Sequence, residues 1–522
     1  MAHSINRKIV QSTGIVMASI LLSRFLGFLR DWTVAHQIGA SAVTDAYYAA
    51  FTLPDFLNYL VAGGSLSITF IPVFAKFAAE DREDEAWRVF STVMTFMGLL
   101  VIGLVCVAEI FAPQLVSAIA PGFGLAEKQR VVFLTRLMLP AQFFFVQGGI
   151  LSAVQYAKGR FVVPSLAPLV YNLFIILGGV LLASRYGITG FAIGVLVGAL
   201  LGNFLLQAYG AHSVGAKFSF ALDLGHPGFR LFIKLAVPIM LALSLSFTDD
   251  WIIRWFGSYL VHASITWLQD AKTLMRVPLG AVGQAIGIAS FPVLARLYSE
   301  GKFDDLNRVL NDTLKGLILF LIPISAFTIA ESPYAVHLVY SHTRLHESDL
   351  QAIAATLALF SLGMFAWGAQ NLLARGFYAA RDTWTPAIVG TVLTFADIPL
   401  YWWLASRAQH LGLALASSIG ITVLTIVLFV LLIRRTRSHA TGALLLFLTK
   451  VTFASVLAAG AIFEFARWLS RHFPWQRAIG SFEILVIATF AGTLLMLALL
   501  KLFRIREMDS LLSRLRFPFL GR

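Results

Sequence analysis

Apolar residues in this chain run in long, nearly uninterrupted blocks separated by short polar breaks, with Val89–Ala112, Val131–Tyr156, Ile188–Gln207 and Ile484–Leu500 the clearest cases. A helix needs about 20 apolar residues to cross a hydrocarbon core. Within lipid only helices and closed barrels satisfy their backbone polar groups. Alternating ten-residue barrel strands are absent, so the pattern predicts helices. Fourteen segments emerge, near 9–30, 42–75, 89–113, 131–157, 164–184, 188–210, 231–255, 260–297, 313–332, 350–380, 384–405, 410–433, 442–468 and 480–503. The expected fold class is an all-α polytopic membrane protein of about fourteen transmembrane helices. The tail RIREMDSLLSRLRFPFLGR is basic with spaced leucines and phenylalanines, and reads as an interfacial helix.

Internal repetition organises these segments. FIPVFAKFAAEDREDEAWRVF, from Phe70, aligns without gaps on SFPVLARLYSEGKFDDLNRVL, from Ser290. Pro72 pairs with Pro292, Glu80 with Glu300, Asp84 with Asp304 and Arg88 with Arg308, at an offset of 220 residues. Tyr156-Ala157 and Pro164 match Tyr378-Ala379 and Pro386 at an offset of 222. Helices 1–6 and 7–12 are therefore expected to be like-oriented halves around a pseudo-twofold along the membrane normal, as in transporters built of two bundles. The expected divisions are 1–212 and 213–437 for the two six-helix lobes, 438–504 for two added helices, and 505–522 for the tail. Helix 2 carries Pro54, Gly63 and Gly64, and helix 8 carries Pro278, Gly280, Gly283 and Gly287. Such matched interruptions point to segments lining a central cavity, against the plainer reading that the glycines permit close packing.

Composition agrees. Of 522 residues, 58% are hydrophobic and 13% charged, with mean hydropathy +0.80; a soluble globular protein carries about 25% charged residues. The net charge of +13 does not require a nucleic-acid partner, because Lys and Arg concentrate in the N-terminus, every second loop and the C-terminus. That asymmetry places both termini in the cytoplasm. Cys106 is the only cysteine, which excludes a disulfide within the chain. No GxxxxGK[ST], HExxH, GxSxG or CxxC pattern is present, so an enzyme is not expected. Energy for transport would come from a monovalent cation gradient or from the membrane potential, about 2.3 kcal/mol per charge per 100 mV. No other cofactor and no metal site are expected, and the histidines, His337, His342 and His346 among them, read as solvated loop residues.

Charges within the apolar spans are the candidate chemistry, since each costs roughly 2.5–3.5 kcal/mol at mid-membrane on insertion scales. Helix 1 holds Arg24, Arg30 and Asp31 in SRFLGFLRD. Helix 2 adds Asp45 and Asp55, helix 7 adds Asp249, Asp250 and Arg254, and helix 8 adds Asp270, Lys272 and Arg276. Asp250 and Arg254 have the spacing of a local ion pair, and Lys272 and Arg276 share a helix face. Either these charges neutralise one another between helices, or the cations serve an anionic ligand. Arginine's planar fork suits phosphate, and Arg24 and Arg30 have one adjacent carboxylate between them. Asp249, Asp250 and Asp397 are candidates for a coupling cation.

Several of these stretches resemble one family. SRFLGFLRD, TDAYYAAFTLPDFL and SITFIPVFAKF are similar to the first two helices of the MurJ (MviN) lipid II flippases. GRFVVPSLAPLVYN resembles their turn from helix 4 to helix 5, and GFYAARDTWTP (Gly376–Pro386) their turn from helix 10 to helix 11. The resemblance covers the whole chain. It implies the MOP-superfamily fold, with two six-helix lobes around a cavity and a hydrophobic groove at helices 13–14 for a polyprenyl tail. It also implies a flippase moving lipid II, a polyprenyl diphosphate bearing a disaccharide-peptide, from the inner to the outer leaflet in peptidoglycan synthesis. By motif match, Arg24 and Arg30 carry over as substrate-binding residues and Asp45 as the acidic position of helix 2. Two departures stand out. LPDFLNY replaces an LPN followed by arginine. AKTLMR replaces ADRL, so that Lys272 and Arg276 retain positive charge in a rearranged pattern.

The reading is then a lipid II flippase of the bacterial inner membrane, working as a monomer among membrane lipids by alternating access. Arg24, Arg30, Lys272 and Arg276 would grip the diphosphate, and Asp45 would orient an arginine or gate the cavity. The rivals are a flippase for another lipid-linked oligosaccharide, a MATE-like cation-coupled exporter, which predicts an acidic site, and a non-transporting scaffold.

Overall fold

The computed structural model describes residues 2–61, 65–244, 248–280, 285–380, 382–436, 441–505 and 507. Gly63, Gly64, Gly283 and most of the basic tail lie outside the described residues. All regular structure among the described residues is helical, and the chain divides into two compact units, Met1–Thr266 and Trp267–Arg522.

In the first unit, α1 (Ala2–Gln37) leads to α2 (Ala42–Ala50), α3 (Thr52–Val61) and α4 (Ser65–Ala79). Ser41 starts α2, its Oγ accepting from the Val43 N–H at 3.3 Å while its own N–H donates to Thr44 Oγ1 at 2.8 Å. This satisfies donors that a helix start would otherwise leave orphaned. Next come α5 (Glu83–Ile110), α6 (Ala112–Ile119), α7 (Leu125–Met138), α8 (Ala141–Ala157) and α9 (Val162–Tyr186). Glu83, Asp84 and Glu85 occupy the first turn of α5, where carboxylates complement the helix dipole. α10 (Thr189–Gly198) passes through a π-helical stretch, Ala199–Leu205, into α11 (Leu206–Ser213). A Cβ on Gly194 would stand 2.6 Å from the Phe174 carbonyl oxygen and one on Gly178 2.5 Å from that of Gly190, so α9 and α10 meet backbone to backbone. α12 (Pro227–Ser244) and α13 (Thr248–Gly257) complete the unit.

The second unit contains most of α14 (Ser264–Leu279), then α15 (Ala285–Ser299), α16 (Phe303–Tyr340), α17 (Glu347–Leu362), α18 (Met364–Ala379), α19 (Trp384–Ala396), α20 (Ile398–Thr436), α21 (Thr441–Leu469) and α22 (Ala478–Leu502). α16 is its spine, packing against α15, α17, α18, α21 and α22. α20 is broken at Ala408 and Gln409, the latter with φ 53°, so its halves serve two successive apolar segments.

Each of the fourteen expected segments falls on helix. Eight helices among the described residues are long and apolar enough to cross a membrane, or nine if the pair α17 and α18, bent by 43°, is one span. The others are shorter pieces or carry charges within them, as the sequence reading of helices 1, 2, 7 and 8 requires.

The repeat is visible in the packing. Phe74, Phe77, Ala86, Phe90, Met97 and Val101 are buried, and so are Leu294, Leu297, Leu306, Leu310, Leu317 and Leu321, each 220 residues on. The compact units nevertheless divide at 266 instead of 212. The reason is local: α12 packs on α3, α4 and α5, with Phe232 fully buried and 6.5 Å from the Phe70 ring.

Candidate functional site

α1 presents the two arginines differently. Arg24 is exposed. Arg30 keeps 25% of its side chain exposed, while its guanidinium grips Asp31 through Nε (2.9 Å) and Nη2 (2.8 Å). Its Nη1 reaches Asn172 Oδ1 of α9 at 3.4 Å, and Tyr47 and Tyr171 lie close enough to feel its charge. The Tyr47 hydroxyl is buried with no hydrogen-bond partner among the described residues. Among the described residues Arg30 is ion-paired with Asp31, and its other polar neighbours include Tyr47 of α2 and Tyr171 and Asn172 of α9. Asn172 and Tyr171 were not singled out from the sequence, although they close the LVYN run that carries part of the family resemblance.

Asp45 corrects the sequence reading. Asp45 is 2% exposed, and the partners of its carboxylate among the described residues are Ala263 and Thr266 instead of an arginine. Oδ2 accepts from the Ala263 N–H at 2.7 Å, and Oδ1 from both the N–H (2.8 Å) and the Oγ1–H (2.7 Å) of Thr266. Asp45 caps the turn that opens α14, a tertiary version of an N-cap. Three donors already fill it, so it does not orient an arginine.

Asp55 holds a charge that the local spacing had assigned elsewhere. Arg254 Nη1 donates to Asp55 Oδ2 at 3.2 Å and lies 3.2 Å from Thr52 Oγ1. Asp55 stands where LPDFLNY departs from the family's LPN, so the departure comes with its own cation on α13.

Lys272 and Arg276 part company. Lys272 is 6% exposed, and its Nζ lies over the rings of Phe360 (5.8 Å) and Trp367 (5.9 Å) of α17 and α18. Those aromatic faces stabilise a desolvated ammonium electrostatically. Arg276, one turn on, is exposed. The shared helix face does not put both cations in solvent, which corrects the expectation for Lys272: the lysine is sheathed by aromatic rings. Asp249 and Asp250 lie half-buried in the first turn of α13. Asp397 is half-buried against Gly420, where an added Cβ would come within 2.5 Å of its Oδ2. Among the described residues no three His, Cys, Asp or Glu converge as metal ligands.

Of the three named histidines, His342 and His346 are exposed in the loop as expected, and His337 differs. His337 is 1% exposed, its Nδ1 2.8 Å from the Pro333 carbonyl oxygen and its Nε2 3.1 Å from Glu347 Oε2. It is a packed end-of-helix residue, because α16 continues past it to Tyr340 and α17 folds back against it.

The family described as lipid II flippase MurJ matches residues 34–482. The chain belongs to that family. A lipid II flippase MurJ from Burkholderia cenocepacia is 26% identical over 475 residues, covering 87% of this chain and 89% of that protein. A solved lipid II flippase MurJ in an inward closed conformation superposes with a TM-score of 0.78 at 23% identity, covering 94% of this chain and 98% of that one. A multidrug-resistance MATE transporter of the MOP superfamily, inward-facing, follows at TM-score 0.66 and 13% identity, over 81% of this chain and 98% of that one.

Proposed function

We propose that the chain translocates a polyprenyl-diphosphate-linked saccharide, lipid II, from the inner to the outer leaflet of a bacterial inner membrane by alternating access, with both termini cytoplasmic. The observation that carries the reading is the state of α1. An exposed guanidinium at Arg24 and a quarter-exposed one at Arg30 stand ~9 Å apart along the helix axis, in a span that would otherwise be apolar. Forked donors of this kind bind phosphate oxygens bidentately, and the Arg30–Asp31 pair orients one of them before substrate arrives. In the second unit, Arg276 is likewise exposed. Lys272 would act through its charge from within its aromatic sheath. Family membership and the lipid II flippase relatives supply the substrate class. Arginine in place of acid on helix 1 argues against a MATE-like exporter of cations. Asp249, Asp250 and Asp397 are the acidic positions available to a coupling cation, with the membrane potential as the other source of energy.

The test is rescue of a bacterium depleted of its own lipid II flippase. The wild-type chain should restore growth. Arg24→Ala and Arg30→Ala should not, at equal membrane abundance. Equal rescue by both variants would remove their role, and no rescue by well-inserted wild type would reassign the substrate to another lipid-linked glycan. A reporter fused to the C-terminus should be active only in its cytoplasmic form.

A further inference from the structure

Beyond that reading, and independent of it, lies a buried acid on α16, the spine of the second unit. Glu331 of α16 is 4% exposed. One carboxyl oxygen, Oε2, accepts from the Thr489 hydroxyl of α22 at 2.8 Å. The other, Oε1, is buried with no hydrogen-bond partner among the described residues. The buried apolar cluster on the same three helices comprises Ala330 and Tyr334 on α16, Ile462 and Ala466 on α21, and Ile484 and Ala488 on α22.

Among the described residues no cation is ion-paired with it. Glu464 and Arg467 of α21 are exposed, and Glu483 of α22 lies six residues ahead of Thr489. His337 of α16 is engaged by Glu347 of α17. The remaining acid of α17, Asp349, accepts from Trp267 Nε1 and the His346 N–H. An ionised carboxylate in such a setting, with one hydroxyl donor and an orphaned oxygen, is far costlier than its neutral acid, and a group so placed takes up a proton instead. A carboxylic acid also suits the single contact present, since its carbonyl oxygen accepts from Thr489 while the hydroxyl faces apolar side chains.

We propose that Glu331 is a proton-binding site, carrying its proton while α22 is docked on α16 and releasing it to water only when the two helices separate. Protonation is then linked to docking of the last two helices, and alkaline conditions favour their release. The linkage is reciprocal, because whatever opens the α16–α22 seam also lowers the proton affinity of Glu331.

Infrared difference spectroscopy on the full-length protein in lipid vesicles tests the site. Wild type minus Glu331→Gln should show, at neutral pH, the carbonyl stretch of a protonated carboxylic acid. Thr489→Val, which keeps the carboxyl, should move that band to higher frequency by removing its donor. A difference confined to carboxylate bands would overturn the proposal. Hydrogen exchange of the α22 amides tests the linkage. It should rise with pH in wild type, beyond the intrinsic chemical rate, and lose that excess in Glu331→Gln. An equal excess in both proteins would leave no linkage to docking, whatever the rescue experiment on Arg24 and Arg30 returns.

Discussion

Replacing Asp45 separates its role as a cap from a role as an arginine partner or gate. Three donors converge on its two oxygens, at 2.7, 2.8 and 2.7 Å, in a site where the residue is 2% exposed. Asp45→Ala leaves the Ala263 and Thr266 amides and the Thr266 hydroxyl facing apolar space. An unsatisfied buried donor costs ~1–3 kcal/mol, and loss of a helix cap alone costs ~0.5–2 kcal/mol. Because the hydroxyl can rotate to another acceptor, the sum falls near the middle of that range, about 2–4 kcal/mol. Asp45→Asn keeps one oxygen. With that oxygen on Thr266, its amide nitrogen is left against the Ala263 N–H, donor against donor, and the expected loss is about 1–3 kcal/mol. Thermal unfolding of the detergent-purified protein, followed by helical circular dichroism, should therefore rank wild type above both variants. Thr266→Val, which removes one of the three donors, should cost less than either. If Asp45→Ala unfolds within experimental error of wild type, the carboxylate is not holding the start of α14, and the cap argument fails.

Gly148→Ala should be strongly destabilising, because its Cβ would stand 1.6 Å from the Asn203 carbonyl oxygen in the π-helical stretch. The helices would have to separate, at a cost of about 1–3 kcal/mol or more, visible as poor recovery of folded protein in size-exclusion chromatography. Phe360→Leu should lower the unfolding temperature through loss of the ring under Lys272, about 1–2 kcal/mol for a desolvated cation–π contact, added to the packing loss of a fully buried ring, and in a Lys272→Met background only the packing loss should remain. A double-mutant cycle on Asp55 and Arg254 should return a coupling of about 1 kcal/mol, held down by the partial exposure of Asp55. Asp382, in the loop before α19, is raised by its burial but held below the usual carboxylate range overall by Thr385 and Arg435. A depressed folded-state pKa adds stability that is present above about pH 3.9 and fades as the pH falls through the folded value. The gap between wild type and Asp382→Asn should then be widest near neutrality and close in acid.

The fourteen apolar runs were legible because a membrane leaves a chain few options, and hydropathy alone reports them. The repeat was legible too, since identical packing demands left matched positions such as Phe90 and Leu310 at one offset. What the sequence hid was tertiary pairing. Asp250 and Arg254 are four apart, yet Arg254 reaches Asp55, about 200 residues away. Lys272 and Arg276 share a helical spacing, yet aromatic rings from two other helices sheathe only the first. Spacing along one helix says which residues share a side, and nothing about what stands opposite. Glu331 shows the same limit. Within α16 it reads as one acid near a helix end, and only Thr489 of α22 reveals that it is sealed.

The departures from the family pattern follow from the same physics. An acid at Asp55 within an apolar span is tolerable only with a partner, and Arg254 supplies one at 3.2 Å. A lysine at 272 is tolerable without a water-filled surrounding because two ring faces replace part of its hydration. Each altered charge is thus accommodated within its own unit. That leaves Arg24 and Arg30 as the cations of the first unit with exposed surface among the substrate-binding candidates, both of them arginines. A site for a spherical or strongly hydrated anion has no need of that uniformity, since the point charge of lysine would do. A site for a planar, two-oxygen phosphate edge does, and substituting lysine at Arg24 and at Arg30 should accordingly fail to rescue growth although charge is conserved.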